Sequence, residues 1–448
     1  MTRILVPSGA LGLGYDRAAL AAGVAAKPDL IAIDGGSTDS GPHYLGTATS
    51  KYSRATTMAE WAELMQARAK AGVPLVIGTA GTCGADATVD WMFEITREVA
   101  RRTGERLRVA VLKSEQAGPE MAAAFAAGRI TPLSGAPEIN ADTLAQCTHI
   151  VALAGAEQIQ AALATGADIV IAGRTTDTAI IAALPLARGD HPGAAWHGAK
   201  VGECGALATT RPGSGVVMLD FDGEGFIMTP LAEGAAATPQ SVAAHMLYEN
   251  ADPNHLHEPG GLLDVSDAKY MALDAQRTRV IGALWRKSHR YTVKLEAARP
   301  AGYQVVSLTL IRDPRYIAGA REWCAAIEAK CTDQARTRLG AARFTIELRR
   351  IGIDATLGAL ETGHVMPQEL GILAIVTGES AEQAGEIAKM LNPYLLHHPL
   401  TPDEPMPTFA FPFSPPEMAR GMVHEFCLNH VLELDNPMDA FRLEVVEI

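Results

Sequence analysis

The chain of 448 residues has no Cys-x-x-Cys pair. Its six cysteines, Cys83, Cys147, Cys204, Cys324, Cys331 and Cys427, stand far apart. That spacing argues against a zinc ribbon or a thioredoxin-like redox pair and fits reduced thiols in a cytoplasmic protein. Basic tracts are missing too: 38 Lys and Arg face 51 Asp and Glu, for a net charge of −13, which argues against a sequence-independent grip on nucleic-acid phosphates. No apolar run approaches the ~20 residues needed to cross a bilayer. The first residues run almost at once into a strand, without the basic start and apolar stretch of a signal peptide. Neither a Walker-type G-x-x-x-x-G-K-[S/T] nor a G-x-S-x-G elbow occurs, so ATPase and serine-hydrolase chemistry lack their sequence handles. The expectation is a cytoplasmic protein with no nucleic-acid or membrane partner.

What the chain does have is a set of four apolar runs that each break into a turn of Gly, Ser, Thr and Asp. They begin at Ile4, Leu30, Leu75 and Ile169, and their turns reach Gly14, Gly41, Asp86 and Asp177. Short runs of this kind fit parallel strands buried on both faces, and the turns past their ends form the rim where open α/β sheets bind ligands. Ala-rich segments of helical period lie between them, near residues 16–26, 58–71, 88–102 and 120–127, with further strands expected at 108–112 and 149–153. Alternating strands and helices imply right-handed crossovers and a parallel sheet with helices on both faces.

After Ala208 the pattern changes to a loop, a β-hairpin over 216–228, a helix over 238–248 opened by Thr238 and Pro239, and a Pro- and Gly-rich loop over 250–261. From residue 303 the expected order is strand, helix, strand, strand, helix, strand, the last over 425–434. That βαββαβ order fits a smaller α+β, ferredoxin-like domain. Length alone suggests two units. The expected division is an α/β domain over 1–285, including a hairpin and linker region over 209–285, and an α+β domain over 286–448. The second carries an irregular Pro- and aromatic-rich arm over 392–416, whose aromatics most simply cover their own core.

Several motifs carry chemistry. Gly9, Gly12 and Gly14 follow the first strand, and Asp34 lies 20 residues after Gly14, which permits a nicotinamide reading, although the spacing is not G-x-G-x-x-G. Asp34-Gly-Gly-Ser-Thr-Asp-Ser-Gly41 offers Asp34, Ser37, Thr38 and Asp39, and its successive N–H groups suit an anion. Thr82 and Asp86 come from the third turn; Arg174, Thr175 and Asp177 come from the fourth. If these turns meet, the planar fork of Arg174 is the natural partner of a substrate carboxylate, with a structural ion pair as the equal alternative. On Trp196-His-Gly-Ala-Lys-Val-Gly-Glu-Cys-Gly205, His197 or Glu203 could serve as general base, and a buried structural histidine is the plainer reading of His197. Lys294 and Glu296 share one face of a strand. His245, His255, His257 and Glu258 tempt a metal reading, but only His-x-His is local. No metal ligand is assigned and the cofactor stays unknown; Asp34, Asp39 and Asp177 would suit a divalent cation such as Mg²⁺ better than zinc.

The turn from Asp34 to Gly46, the stretch Ile171-Ala-Gly-Arg-Thr-Thr-Asp-Thr-Ala179, the Trp196 to Gly205 motif, Leu247-Tyr-Glu-Asn-Ala-Asp-Pro253 with Glu258-Pro-Gly-Gly261, and Phe411-Pro-Phe-Ser-Pro415 together resemble the acyclic terpene utilisation family, AtuA. The resemblance implies bacterial catabolism of acyclic terpenes such as citronellol and geraniol, and of other branched or carboxylated compounds, often beside acyl-CoA enzymes. Longer members have a further C-terminal region, and short members resemble proteins accompanied by a separate small subunit.

The leading expectation is a lyase of the hydratase or dehydratase type acting on a branched or unsaturated carboxylate or its CoA thioester. Asp39, His197, Glu203 and Asp177 are its candidate catalytic groups. Asp34, Ser37, Thr38, Thr82, Asp86, Arg174, Thr175 and Lys294 are its candidate groups for binding an anionic small molecule. The alternatives are a non-catalytic subunit completed by a small partner and, third, a nicotinamide-dependent oxidoreductase. An even-numbered homo-oligomer is expected from the symmetry of soluble enzymes.

Overall fold

The computed structural model describes residues 1–340, 343–363 and 366–448. The chain is mixed α/β and divides into two compact units, Met1–Arg299 with Phe426–Ile448, and Pro300–Glu425. The division falls inside the strand Tyr291–Ile311, and the last 23 residues return to the first unit.

In the first unit the four apolar runs do become neighbouring parallel strands. Thr2–Val6, Leu30–Asp34, Leu75–Gly78, Ile169–Ala172 and Arg108–Lys113 lie side by side in that order. The chain visits Arg108–Lys113 before it comes back to fill the gap with Ile169–Ala172, so connections leave the adjacent strands Leu75–Gly78 and Ile169–Ala172 in opposite directions. Such a switch point opens a crevice beyond the carboxyl ends of the strands.

Alternate strand residues feed two cores. Leu5, Ile31, Ile77 and Ile171 pack against the helices Arg17–Ala25, Arg54–Ala71 and Asp86–Thr103. Ile4, Leu30, Val76 and Val170 pack against Ala156–Ala164, Ala179–Ala187 and Pro192–Gly202. The helices begin where their caps dictate: Asp16 accepts the N–H groups of Ala18 and Ala19, and Ser53 accepts that of Thr56. Asp86–Thr103 buries Val89, Met92, Ile95, Thr96 and Val99 along one stripe. Each full burial of such an apolar side chain contributes about 1.5–3 kcal/mol.

The hairpin expected over 216–228 is Val217–Phe221 and Gly225–Pro230, turned at Asp222, whose carboxylate accepts the N–H groups of Glu224 and Gly225 at 2.9 Å. It extends the sheet antiparallel to Thr2–Val6, and Arg442–Glu447 closes the other edge. Two expectations need correction. His149–Ala152 lies outside the parallel sheet and pairs antiparallel with Leu295–Ala298. The stretch expected as loop over 250–261 holds the strand His255–Glu258, which turns through Pro259-Gly260 into Gly261–Asp264. Pro and Gly there mark a tight turn between strands.

In the second unit, Tyr303–Ile311 pairs antiparallel with Leu370–Gly378, which pairs with Phe344–Ile351. The helices Ala320–Leu339 and Ala381–His397 cover one face. The sixth strand expected over 425–434 splits: Met418–Phe426 joins Tyr291–Ile311, and His430–Leu434 pairs instead with Tyr291–Leu295 of the first unit. The irregular arm begins later than expected, because Ala381–His397 continues through Pro393. Beyond it Phe409 sits edge-on to Tyr316 and Trp323 and covers the unit's own core.

Candidate functional site

The carboxyl ends of the parallel strands are stitched together before any side chain is considered. Gly35 N donates to Gly78 O at 2.8 Å, Thr79 N to Gly173 O at 2.8 Å and Thr82 N to Gly35 O at 3.1 Å. Gly84 is required here: its φ is +67°, and a Cβ on it would lie 2.2 Å from the Arg174 nitrogen. Thr79 and Thr82 hold φ of +43° and +81°, a conformation that β-branched residues adopt only when their surroundings impose it.

Over this rim lies a pocket of about 650 Å³ within the first unit. Ser37, Thr38 and Asp39 enter from the second turn and Arg174, Thr176, Asp177 and Thr178 from the fourth. Lys200 and Glu203 come from the end of Pro192–Gly202; Glu249 and Glu258 come from the segments after it; and Lys294 and Glu296 come from Tyr291–Ile311. Leu153, Leu256, Phe426 and Leu428 supply an apolar wall. Six carboxyl groups thus face three cations.

Those cations are already engaged. Arg174, 6% exposed, donates to Glu296 Oε2 at 2.9 Å, to Thr79 Oγ1 at 3.1 Å and to Thr175 O at 2.9 Å, and sits 3.8 Å from Asp177. Burial works against its cation, but Glu296 and Asp177 outweigh burial and raise its pKa. Glu296 also accepts from Thr38 Oγ1 at 2.8 Å and Lys294 Nζ at 3.1 Å. Burial would raise its carboxyl, yet Arg174 and Lys294 prevail and pull it down to about 2. Of the two readings of Arg174, the ion pair is present, with Glu296 facing its Nε and Nη2. Lys200 is likewise held by Glu203 at 2.5 Å.

Four acids, Glu203, Glu258, Asp177 and Asp34, are pushed toward their neutral forms. Burial lifts Glu203 to about 8 against the pull of Lys200. Burial lifts Glu258 to about 7, although Thr178 donates to its Oε1 at 2.5 Å. The other oxygen of Glu258 is buried without a partner. Asp177 is raised by burial, with Arg174 and Lys200 opposing. Asp34, 4% exposed, stands behind the lining; burial and the Asp177 charge raise it well above the usual range, and its Oδ2 accepts Gly36 N at 3.0 Å.

Of the residues singled out from sequence, Ser37, Thr38, Asp39, Arg174, Asp177, Glu203 and Lys294 line this one pocket. Thr82 and Thr175 lie beneath it, with Thr82 Oγ1 accepting Lys51 N and Thr175 N facing Thr79 Oγ1. Asp86 opens its helix, braced by Glu115 and Arg442. The placement of His197 is corrected: it is fully buried in the core, edge-on to Phe226, with Nε2 3.1 Å from the Tyr270 hydroxyl. Burial holds it neutral, lowering it to about 3.

In the Gly9–Gly14 turn the Gly12 backbone is already engaged. Glu60 accepts Gly12 N at 2.7 Å, and a Cβ on Gly12 would strike the Tyr52 ring. His255 pairs with Asp252 on a surface hairpin, and among the described residues Asp34, Asp39 and Asp177 do not gather within 4.8 Å. Glu258 and Glu296 were the pocket acids hardest to read; one ends the short strand His255–Glu258, the other lies in the long strand Tyr291–Ile311, and each is distinguished only by the partners that folding brings.

Comparison with known proteins gives a family match. The model of the family described as "Acyclic terpene utilisation family protein AtuA" matches residues 42–403. No curated protein and no solved structure matches significantly.

Proposed function

Since the chain belongs to the acyclic terpene utilisation family AtuA, we propose that it is a metabolic enzyme of acyclic terpene utilisation that adds or removes water on a branched or unsaturated acyl substrate. The observation that carries this reading is Glu258: a buried carboxyl with one bare oxygen and a pKa near 7, opening on a pocket with an apolar wall. A carboxyl poised near neutrality is suited to exchange protons with substrate. In dehydration Glu258 gives its proton to the departing hydroxyl, which leaves as water, while Asp177 takes the proton of the adjacent carbon; hydration is the reverse. The apolar wall takes the alkyl chain. Lys294, paired with Glu296 at 3.1 Å but 41% exposed, turns from that pair to meet the carboxylate or thioester oxygen, whereas Arg174 is buried among its bonds to Glu296, Thr79 and Thr175.

The test is isotope incorporation from H₂¹⁸O into branched α,β-unsaturated acyl thioesters and free acids, followed by mass spectrometry. Turnover with the wild type and a loss of about 10²–10⁴ in kcat for Glu258→Gln are expected, with unchanged melting. Absence of incorporation with every thioester and acid tried, or an unimpaired Glu258→Gln, removes the reading.

A further inference from the structure

One cluster beside the pocket is left unused by the proton chemistry above. Among the described residues a single group of three His, Cys, Asp or Glu side chains brings its ligand atoms within 4.8 Å of one another: Glu203, Cys204 and His245. We propose that these three residues bind a divalent cation of the zinc type.

The donor set decides the class of ion. A thiolate and an imidazole suit zinc and its borderline neighbours, whereas Mg²⁺ and Ca²⁺ demand oxygen. Bonds of about 2.0–2.3 Å place tetrahedral donors roughly 3.5 Å apart, so the trio needs only a small side-chain closure. Two of the ligands stand on a rigid base. Glu203 ends the helix Pro192–Gly202 with its N–H on Ala199 O at 2.9 Å. Gly205, at φ +60°, turns the chain after Cys204 where a Cβ would lie 2.3 Å from Gly215 O.

The third ligand carries an independent sign of a missing partner. His245 is 5% exposed and its Nε2 is buried without a hydrogen bond. Leaving such an atom unpaired is costly, and native structures rarely tolerate it without a ligand or water. The ring is fixed by stacking on Tyr248, centroids 5.3 Å apart.

The surroundings also favour a cation. Lys200 occupies one oxygen of Glu203 at 2.5 Å, leaving the other for the metal, in the manner of an outer partner that orients a ligand. Glu203, Asp177 and Glu249 add negative potential at Cys204, with the single Lys200 cation opposing. Three protein ligands leave the fourth position of a catalytic zinc site open, and Glu203 lines the pocket. The assignment does not depend on the reaction proposed above, because it is read on metal bound.

The test is equilibrium dialysis of chelator-stripped full-length protein against Zn²⁺, with metal counted by mass spectrometry, and a Co²⁺ titration followed by absorption. One ion per chain is expected, with a sulfur-to-cobalt charge-transfer band. Cys204→Ser should abolish that band, and Cys204→Ser and His245→Gln should each weaken Zn²⁺ binding at least about tenfold, the minimum seen even for outer partners. Should a variant fail to fold, alkylation of wild-type Cys204 decides: Zn²⁺ slowing it about tenfold or more supports the site, and no protection overturns it. A wild type that binds no stoichiometric Zn²⁺, or folded variants that keep full affinity and the sulfur band, also overturns it.

Discussion

Replacing Glu296 by Gln keeps the shape and most hydrogen-bonding capacity of the side chain but removes the charge that Arg174 requires. Glu296 is buried and held at about 2 against its ordinary 4.5. A depression of that size corresponds to roughly 3 kcal/mol of stability at pH 7. The sign follows from linkage: the folded carboxyl is the stronger acid, so its contribution is fully present above pH 4.5 and drains away as the pH falls through about 2. The gap between wild type and Glu296→Gln should therefore be ~3 kcal/mol at pH 7 and ~2 kcal/mol at pH 3.5. Other titrating groups cancel in the difference. For a unit of about 320 residues, a 3 kcal/mol loss lowers Tm by roughly 4–5 °C. Urea unfolding and calorimetry at pH 7, 5 and 3.5 supply the measurement. A gap below about 1 kcal/mol at neutral pH, or one that does not narrow on acidification, refutes the claim that Arg174 and Glu296 form a structural brace under the pocket.

The carboxyl of Glu258, raised to about 7, gives dehydration a kcat/KM that falls above pH 7 and hydration one that rises toward it; a profile flat from pH 5.5 to 8.5 contradicts its role. His197→Phe should leave kcat/KM within a few-fold, since the ring lies in the core. Its folded pKa of about 3 is depressed, so the neutral ring contributes stability above pH 6.5 that is lost as the pH falls toward 3. The variant's Tm should then decline less on acidification; parallel Tm curves would count against this. Gly84→Ala must push a Cβ into the Arg174 backbone. A loss of more than about 1 kcal/mol in urea unfolding is expected, and wild-type stability would show that the loop can move.

Much of the architecture was legible because its signals are local. Runs such as Leu30-Ile-Ala-Ile33 and Leu75-Val-Ile77 are apolar at every position, a pattern only doubly covered strands need. Asp16, Ser53 and Thr238 cap helices near the expected starts. The hidden strands were those whose pairing is distant. His149–Ala152 resembles another parallel strand, and only its partner, nearly 150 residues later in Tyr291–Ile311, assigns it to a different sheet. The strand His255–Glu258 was masked by Pro259 and Gly260, which make its turn. The pocket was partly legible, in that three of the four turns meet near the crevice, but Asp86 and His197 were drawn into structural roles by Arg442 and Tyr270.

By itself the sequence determined the family, the alternation of strands and helices, and the rim from which Ser37, Asp39 and Asp177 face one space. Those follow from periodicity, turn chemistry and motif, each readable within a few residues. Only the tertiary structure decided which charges are spent and which remain. Arg174 reads equally as an anion clamp or an ion-pair partner until Glu296, 122 residues away, pairs with it, and nothing in the sequence around Glu258 tells that burial lifts it to about 7. The value of a charge depends on the solvent it loses and the partner it gains, and both are properties of the folded space around it.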